Sequence, residues 1–314
     1  MEPEMEYEMP GFLRVHKSGL VERLDGTDTV QPSPSGDPAN GVASKDVVLA
    51  NGIPARIYLP AAAAAETEPG EKKLPVVVFL HGGAFFIHTV ASPIYHRYAA
   101  SLAAAVPAIV VSVEYRLAPE HPLPAAYDDA FAALEAVVAA CRLDGDEPWL
   151  ASRGDVSRIV LAGDSAGGNM AHNTAIRLRK EGIGGYGDMV SGLALLHPYF
   201  SAGTEEPAGG VTERTLGVAS AGKFGPGHPY FNPAASPEEW RRLGSGRVLV
   251  TTAERCWFVE MAHAYAEGIK ACGWAGEVEL HETKGEKHTY FLFKPGCENA
   301  TKELAVVADF VRRC

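Results

Sequence analysis

The chain lacks several features, and each absence removes a class of function. No uninterrupted apolar run in its 314 residues approaches the ~20 needed to cross a bilayer, so no membrane anchor is expected. The start, Met1-Glu2-Pro3-Glu4-Met5-Glu6-Tyr7-Glu8, is acidic and has none of the apolar core of a secretory leader. Cations are the minority: 28 Lys and Arg against 39 Asp and Glu leave a net charge of −11. That balance disfavours nucleic acid or an anionic membrane as the main partner. The five cysteines, at 141, 256, 272, 297 and 314, show neither C-x-x-C nor zinc-ligand spacing. Scattered and odd in number, they are read as reduced thiols of a cytoplasmic protein. Gly163 to Gly168 is glycine-rich but lacks the lysine of a phosphate loop. No dinucleotide fingerprint and no internal repeat is found, so no cofactor and no metal is expected.

What is present is a 46% hydrophobic composition, enough for a sizeable core, and an alternation of strand and helix patterns. Strands are predicted over 46–50, 54–59, 75–80, 107–113, 157–162, 189–196, 247–253 and 277–281. Helices are predicted near 94–105, 127–141, 167–181, 257–271 and 298–312. Phe131, Leu134 and Val138, and later Leu304, Val307 and Val311, recur at helical spacing as core-facing stripes. Strands separated by helices imply one α/β domain over 1–314, built on a mostly parallel, doubly wound sheet. Functional groups are then expected at the carboxyl ends of the strands. Residues 1–40 are rich in turn formers, yet Phe12, Leu13, Val15 and Leu20 are apolar enough to dock this segment on the domain. The Ala61–Ala65 run and the acidic Glu66-Thr67-Glu68-Pro69-Gly70 read as a surface loop.

The strongest local signal is Gly163-Asp164-Ser165-Ala166-Gly167, between the apolar run Arg158–Ala162 and the helical pattern beginning at Asn169. A G-x-S-x-G at a strand-to-helix junction is a nucleophile elbow. The turn must be sharp, and Gly163 and Gly167 remove side chains that would collide there. A second signal is the strand Pro75–Leu80 running into His81-Gly82-Gly83-Ala84-Phe85-Phe86. Backbone N–H groups of Gly82 and Gly83, with that of Ala166, are the expected oxyanion donors. His81 is read as a brace for this loop.

These motifs, with Phe12-Leu13-Arg14-Val15, Arg56-Ile57-Tyr58-Leu59-Pro60, Glu114-Tyr115-Arg116-Leu117-Ala118-Pro119 and His197-Pro198-Tyr199-Phe200, resemble the plant carboxylesterases of the hormone-sensitive-lipase group of α/β-hydrolases. The gibberellin receptor and the hydroxyisoflavanone dehydratases belong to the same group. The resemblance covers nearly the whole chain and implies the α/β-hydrolase fold, with residues 1–40 as a cap packed over the active site. It marks Gly285-Glu286-Lys287-His288 as the catalytic-histidine segment. Chain order also suits His288, since hydrolases of this fold run Ser…acid…His. The implied chemistry is serine carboxylesterase hydrolysis of small apolar esters through an acyl-enzyme, with Ser165 as nucleophile and His288 as base. The partner expected is a small ester, and the protein is expected to be a monomer or weak homo-oligomer.

The chain departs from this pattern in two places. Relatives carry an aspartate in a string similar to A-E-K-D-x-L, and here the aligned string is Ala253-Glu254-Arg255-Cys256-Trp257-Phe258. Cysteine holds the position of the triad acid. Three readings stand: Cys256 is a small filler in an impaired triad, Glu254 substitutes, or the thiol ionises beside His288. The second departure is the Gly-rich stretch between Phe200 and Asn232, which lacks the Trp-containing helix of the group and shows little apolar periodicity. Phe85, Phe86, Tyr115, Trp257 and Tyr290 are candidate pocket residues. Retained Ser165 and His288 favour an esterase. The missing acid favours a non-catalytic hormone-like receptor or binder on the same pocket, and a dehydratase is a further alternative.

Overall fold

A computed structural model describes residues 4–61, 73–142, 146–201 and 210–314. The acidic piece after the Ala61–Ala65 run, most of that run, and 202–209 of the second departure lie outside the described residues. Three short antiparallel strands open the chain: β1 (Met5–Met9), β2 (Leu13–His16) and β3 (Val21–Arg23). The central sheet follows, with β4 (Ala43–Val48), β5 (Pro54–Leu59), β6 (Leu74–Leu80), β7 (Ile109–Val113), β8 (Gly154–Asp164), β9 (Gly192–Leu196), β10 (Arg247–Arg255) and β11 (Glu277–Lys287). Their spatial order is β11-β10-β9-β8-β6-β7-β5-β4. From β7 to β11 every pairing is parallel, and β5 alone runs against both its neighbours.

The reason for the parallel layout lies in β6 and its neighbours, which are apolar on both faces. Val76, Val78 and Leu80 enter one core cluster, and Val77 and Phe79 enter the other. Period-two alternation thus sends side chains to two buried faces, and helices must cover both. The helices are α1 (Pro93–Ala105), α2 (Ala125–Ala140), α3 (Pro148–Arg153), α4 (Ala166–Glu181), α5 (Val211–Ala219), α6 (Pro237–Trp240), α7 (Val259–Ala271), α8 (Tyr290–Phe293) and α9 (Glu298–Arg313). Phe131 and Leu134 of α2, Met170 of α4 and Ile269 of α7 fill the first cluster. Leu102 of α1 and Val307, Phe310 and Val311 of α9 fill the second. Each such side chain contributes about 1.5–3 kcal/mol by leaving water, so losing either helical layer would expose a face of the sheet. Among the described residues, no helix is long and apolar enough to cross a membrane.

The eight sheet strands and five long helices match the predicted spans to within a few residues, except that β11, predicted over 277–281, runs on to Lys287. The differences lie elsewhere. Residues 211–219, read as lacking apolar periodicity, form α5, with Thr215, Leu216 and Ala219 buried. One leucine, one alanine and a threonine carry that face, too little for a periodic signal. The opening segment forms a sheet in which Leu13 and Val15 are buried while Phe12 and Leu20 are exposed. Arg23 Nε donates to Phe86 O at 2.7 Å, and its guanidinium pairs with Glu120 at 2.7 Å. Tyr7 reaches Thr215 of α5 at 2.8 Å.

Candidate active site

Ser165 sits between β8 and α4 with φ 51° and ψ −117°, a backbone conformation that costs energy in a non-glycine residue. Its surroundings enforce it. A Cβ on Gly167 would stand 1.9 Å from Leu80 O, and one on Gly163 would stand 2.6 Å from the same oxygen. The elbow is therefore pressed against the end of β6. Only glycine at both flanks lets the serine project at the carboxyl end of the sheet.

His288 comes from the loop after β11, and its Nε2 lies 2.9 Å from Ser165 Oγ. For Nε2 to accept the hydroxyl proton, the ring must carry its own proton on Nδ1. That atom faces Cys256 Sγ at 3.1 Å. Burial, and secondarily the nearby His197 ring, hold the His288 pKa down, at about 3. The base is thus neutral and ready to accept, but among the described residues nothing anionic is in hydrogen-bond contact to stabilise the imidazolium.

Cys256 ends up where the resemblance places the acid. Its sulfur also lies 3.4 Å from the Phe258 N–H. Glu254 does not substitute for it. That side chain is exposed, and its Oε2 accepts the Gly285 N–H at 2.8 Å. Residue 254 lies on the strand β10, two places from Cys256, and its carboxylate is held on the backbone of β11 instead of reaching the His288 ring.

Sequence reasoning missed a buried carboxylate nearby. Glu303 of α9 accepts hydrogen bonds from Thr251 Oγ1 at 2.7 Å and Tyr290 OH at 2.8 Å. Burial works against its charge, but His197 and these hydroxyls outweigh burial and keep its pKa below the usual glutamate value. The signal was available: Glu303 is buried on α9 with Ala300, Val307, Ala308, Phe310 and Val311, so an acid occupies the core-facing stripe of an amphipathic helix.

His197 links Glu303 to the histidine loop. Its Nδ1 accepts the Thr289 N–H at 3.0 Å, and its Nε2 lies 3.2 Å from Glu303 Oε1. Burial opposes charge on this ring, while Cys256 and Glu303 favour a proton on it. A doubly protonated ring would aim Nδ1–H at the Thr289 N–H, so the hydrogen-bond pattern requires the neutral ring with its proton on Nε2. Despite the short approach to Glu303, Nε2 has no acceptor aligned for a hydrogen bond.

The donor atoms of His197, Cys256 and His288 all lie within 4.8 Å of one another, a spacing that suits a metal ion. The second shell does not suit one. A histidine bound through Nε2 normally donates its other N–H, and here Nδ1 of His197 instead accepts from Thr289.

The oxyanion loop corrects one expectation. The Gly82 N–H is already used, donating to Asp164 Oδ1 at 2.9 Å and approaching Tyr95 OH at 3.0 Å. The donors left over are the N–H groups of Gly83, Ala84 and Ala166. Among the described residues none of the three has a hydrogen-bond acceptor. His81 explains their direction. Its Nδ1 lies 2.8 Å from Gly82 O, and Tyr115 OH donates to His81 O at 2.8 Å. With the Gly82 carbonyl turned toward this pair, the Gly83 N–H of the same planar peptide points the opposite way. Burial drives the His81 pKa down to about 3, so the brace is neutral. Asp164, fully buried, is pushed up to about 7 by desolvation.

The pocket candidates divide. Tyr115 is buried and stacked on His81 with ring centroids 4.3 Å apart, and Tyr290 is buried on Glu303. Both brace the site from behind and are not walls. Phe86 is buried under the opening sheet beside Tyr7. Phe85 joins an aromatic group with Tyr199 and Phe231. Tyr199 in turn meets Phe258 at 4.9 Å, and Phe258 lies 5.2 Å from the His288 ring. Trp257 is 81% exposed beside His288. Tyr199, Phe231 and Phe258 were not foreseen, because nothing local marks them as neighbours of the serine.

Comparison with known proteins fits this geometry. A family model described as alpha/beta hydrolase fold matches residues 77–292. The chain is 37% identical to "Probable carboxylesterase 7" of Arabidopsis thaliana over 324 residues, covering 100% of both. It is 36% identical to a 2-hydroxyisoflavanone dehydratase of Glycyrrhiza echinata, covering 98% of this chain and 96% of that one. Among solved structures, a hyperthermophilic esterase from the archaeon Pyrobaculum calidifontis superposes with a TM-score of 0.66 at 28% identity, covering 86% of this chain and 85% of that one.

Proposed function

The chain belongs to the alpha/beta hydrolase fold family, and from that premise we propose that it is a serine carboxylesterase for small apolar esters. The observation that carries this reading is the 2.9 Å approach of His288 Nε2 to Ser165 Oγ, beside three N–H groups free to receive an oxyanion. Ser165 Oγ attacks the ester carbonyl carbon while His288 Nε2 takes the hydroxyl proton. The N–H groups of Gly83, Ala84 and Ala166 hold the tetrahedral oxyanion. As the intermediate collapses, His288 returns the proton to the departing alcohol and the acyl group stays on Ser165. Water, deprotonated by the same histidine, then releases the acid. The aromatic group around Tyr199 and Phe258 supports an apolar acyl or alcohol portion.

Cys256 sets the expected rate. A neutral sulfur orients the ring weakly and does not offset its charge in the transition state. Loss of the acid costs on the order of 10⁴ in turnover, and this chain is proposed to be correspondingly slow. The test is hydrolysis of p-nitrophenyl acetate by the parent, Ser165→Ala and Cys256→Asp. Activity that vanishes in Ser165→Ala supports the proposal. A second reading, a ligand binder on the same pocket, is favoured by the same sulfur. It predicts no organophosphate label on Ser165 in the parent, whereas the esterase reading predicts a slow label.

We place the protein in the cytoplasm, where its five thiols, all unpaired, stay reduced. Relatives carry mitochondrial, amyloplastic and chloroplastic names, and cell fractionation tests this placement.

A further inference from the structure

The surroundings of Cys256 are built for an anion with more than one acceptor atom. His288 Nδ1, which must carry a proton for catalysis, faces the sulfur at 3.1 Å. The Phe258 N–H faces it at 3.4 Å. Behind it stands His197, fully buried, whose Nε2 carries a proton because Thr289 occupies Nδ1. One of its ring nitrogens lies within 4.8 Å of the sulfur, and its Nε2 finds no aligned acceptor. Two N–H donors therefore converge on one thiol, which is a weak acceptor, with a third buried N–H close behind. A buried donor left poorly satisfied is costly, and an oxyanion here would remove that cost.

We propose that Cys256 is a modification site: hydrogen peroxide or another small hydroperoxide oxidises it to the sulfinate, which then serves as the missing anion of the triad. A sulfinate carries two oxygens on the atom next to Cβ and a fixed negative charge, as an aspartate does. The inference rests on the esterase reading of the same site.

The chemistry takes two equivalents of peroxide. In the first step the sulfur attacks one peroxide oxygen, an S–O bond forms and the O–O bond breaks. The other oxygen leaves as hydroxide and takes up the thiol proton, giving Cys–SOH and water. The second step repeats this on the sulfenic acid and gives Cys–SO2H and a second water. Each step oxidises sulfur by two electrons and reduces one peroxide, and the sulfinic acid then loses its proton to solvent. Thiols do not reverse the product. The reaction is slow, since the residue retains 4% exposure, between the exposed residues Arg255 and Trp257. Glu303 beyond His197 opposes a second anion, so the gain falls short of what an aspartate gives.

The experiment incubates the purified full chain with millimolar hydrogen peroxide, quenches with catalase and adds dithiothreitol. Ester hydrolysis and the mass of the Cys256 peptide are then read together. The expected result is a rise in kcat of about tenfold or more, on a scale set by the cost of a missing triad acid. It persists in dithiothreitol and tracks the fraction of peptide heavier by two oxygens. Cys256→Ser stays slow and Cys256→Asp stays fast, both indifferent to peroxide. Three outcomes overturn the inference while leaving the esterase reading intact: no doubly oxidised Cys256, oxidation without a gain, or an equal gain in Cys256→Ser. If Cys256→Asp also hydrolyses nothing, the esterase reading falls and this inference falls with it.

Discussion

The two halves of the site are held by different means. On the nucleophile side, backbone presses on backbone: Gly167 and Gly163 lie against Leu80 O, and Gly82 is tied through its own N–H to Asp164. On the histidine side, side chains hold side chains: Glu303, His197, Cys256 and His288 come from four separate elements and meet through single contacts. A backbone-built half tolerates almost no substitution, because any Cβ collides with atoms that cannot rotate away. A side-chain-built half can change one member and keep its fold. The acid is the member that changed.

The sharpest way to break this contrast is Gly167→Ala. The added Cβ would meet Leu80 O at 1.9 Å, and relief requires β6 and α4 to separate. We expect destabilisation of at least ~3 kcal/mol, the scale of severe core strain, read as a large fall in the urea midpoint or loss of soluble protein. A stable, folded Gly167→Ala would show that the elbow is not backbone-locked.

Cys256→Asp tests the other half. The expected gain in kcat is about 10²- to 10⁴-fold, bounded by the cost of removing a triad acid, with a urea midpoint close to that of the parent. A folded, active Cys256→Asp no faster than the parent would mean that the defect lies elsewhere in the site.

The same contrast explains what could be read from residue order. The elbow and the oxyanion loop were recognisable because each is a short string whose backbone demands specific residues. The sheet and long helices were recognisable because β6 to β9 are apolar runs and α2, α4 and α9 carry periodic stripes. Gly82 was misassigned as a donor because its N–H is taken by Asp164, a residue 82 positions away, and only the fold reveals that contact. Glu254 was a candidate through proximity in sequence, yet β10 carries it to the backbone of β11. Glu303 and His197 were overlooked for the same reason in reverse: they lie far from Cys256 in the chain and adjacent to it in space.

A smaller effect is expected in the pH profile. Burial holds the His288 pKa at about 3, so the base stays unprotonated far below the ~6.5 of a free imidazole. The acid limb of kcat/KM in the parent should therefore lie well below pH 6. In Cys256→Asp a carboxylate favours the imidazolium, and the limb should move upward by about a unit or more. Stability must be separated from this. His81, His172 and His288 all have pKa values lowered to about 3 by burial. The unfolded chain binds their protons near pH 6.5 and the folded chain does not. Stability is thus intact above that pH and declines as pH falls from ~6.5 toward 3. Initial rates after dilution from a neutral stock, against rates after acid incubation, distinguish the two. Coincident limbs in both proteins would show that residue 256 does not touch the charge on His288.

The smallest expected effect concerns another joint held by side chains, where the opening sheet meets α5. Thr215 Oγ1 donates to Val211 O at 2.7 Å, so its hydrogen is committed and Tyr7 O–H must be the donor across the 2.8 Å contact. Tyr7→Phe removes that donor and leaves the threonine its own bond. The cost is about 1 kcal/mol, too little to unfold the protein, because Leu13 and Val15 remain buried and Arg23 still holds Phe86 O and Glu120. If the cap is held as the histidine side is, by separable contacts, Tyr7→Phe should hasten proteolytic cleavage within residues 4–23 several-fold while the urea midpoint barely moves. If the midpoint drops in step with cleavage, the cap unfolds only with the sheet beneath it, and it belongs with the rigid half of the molecule.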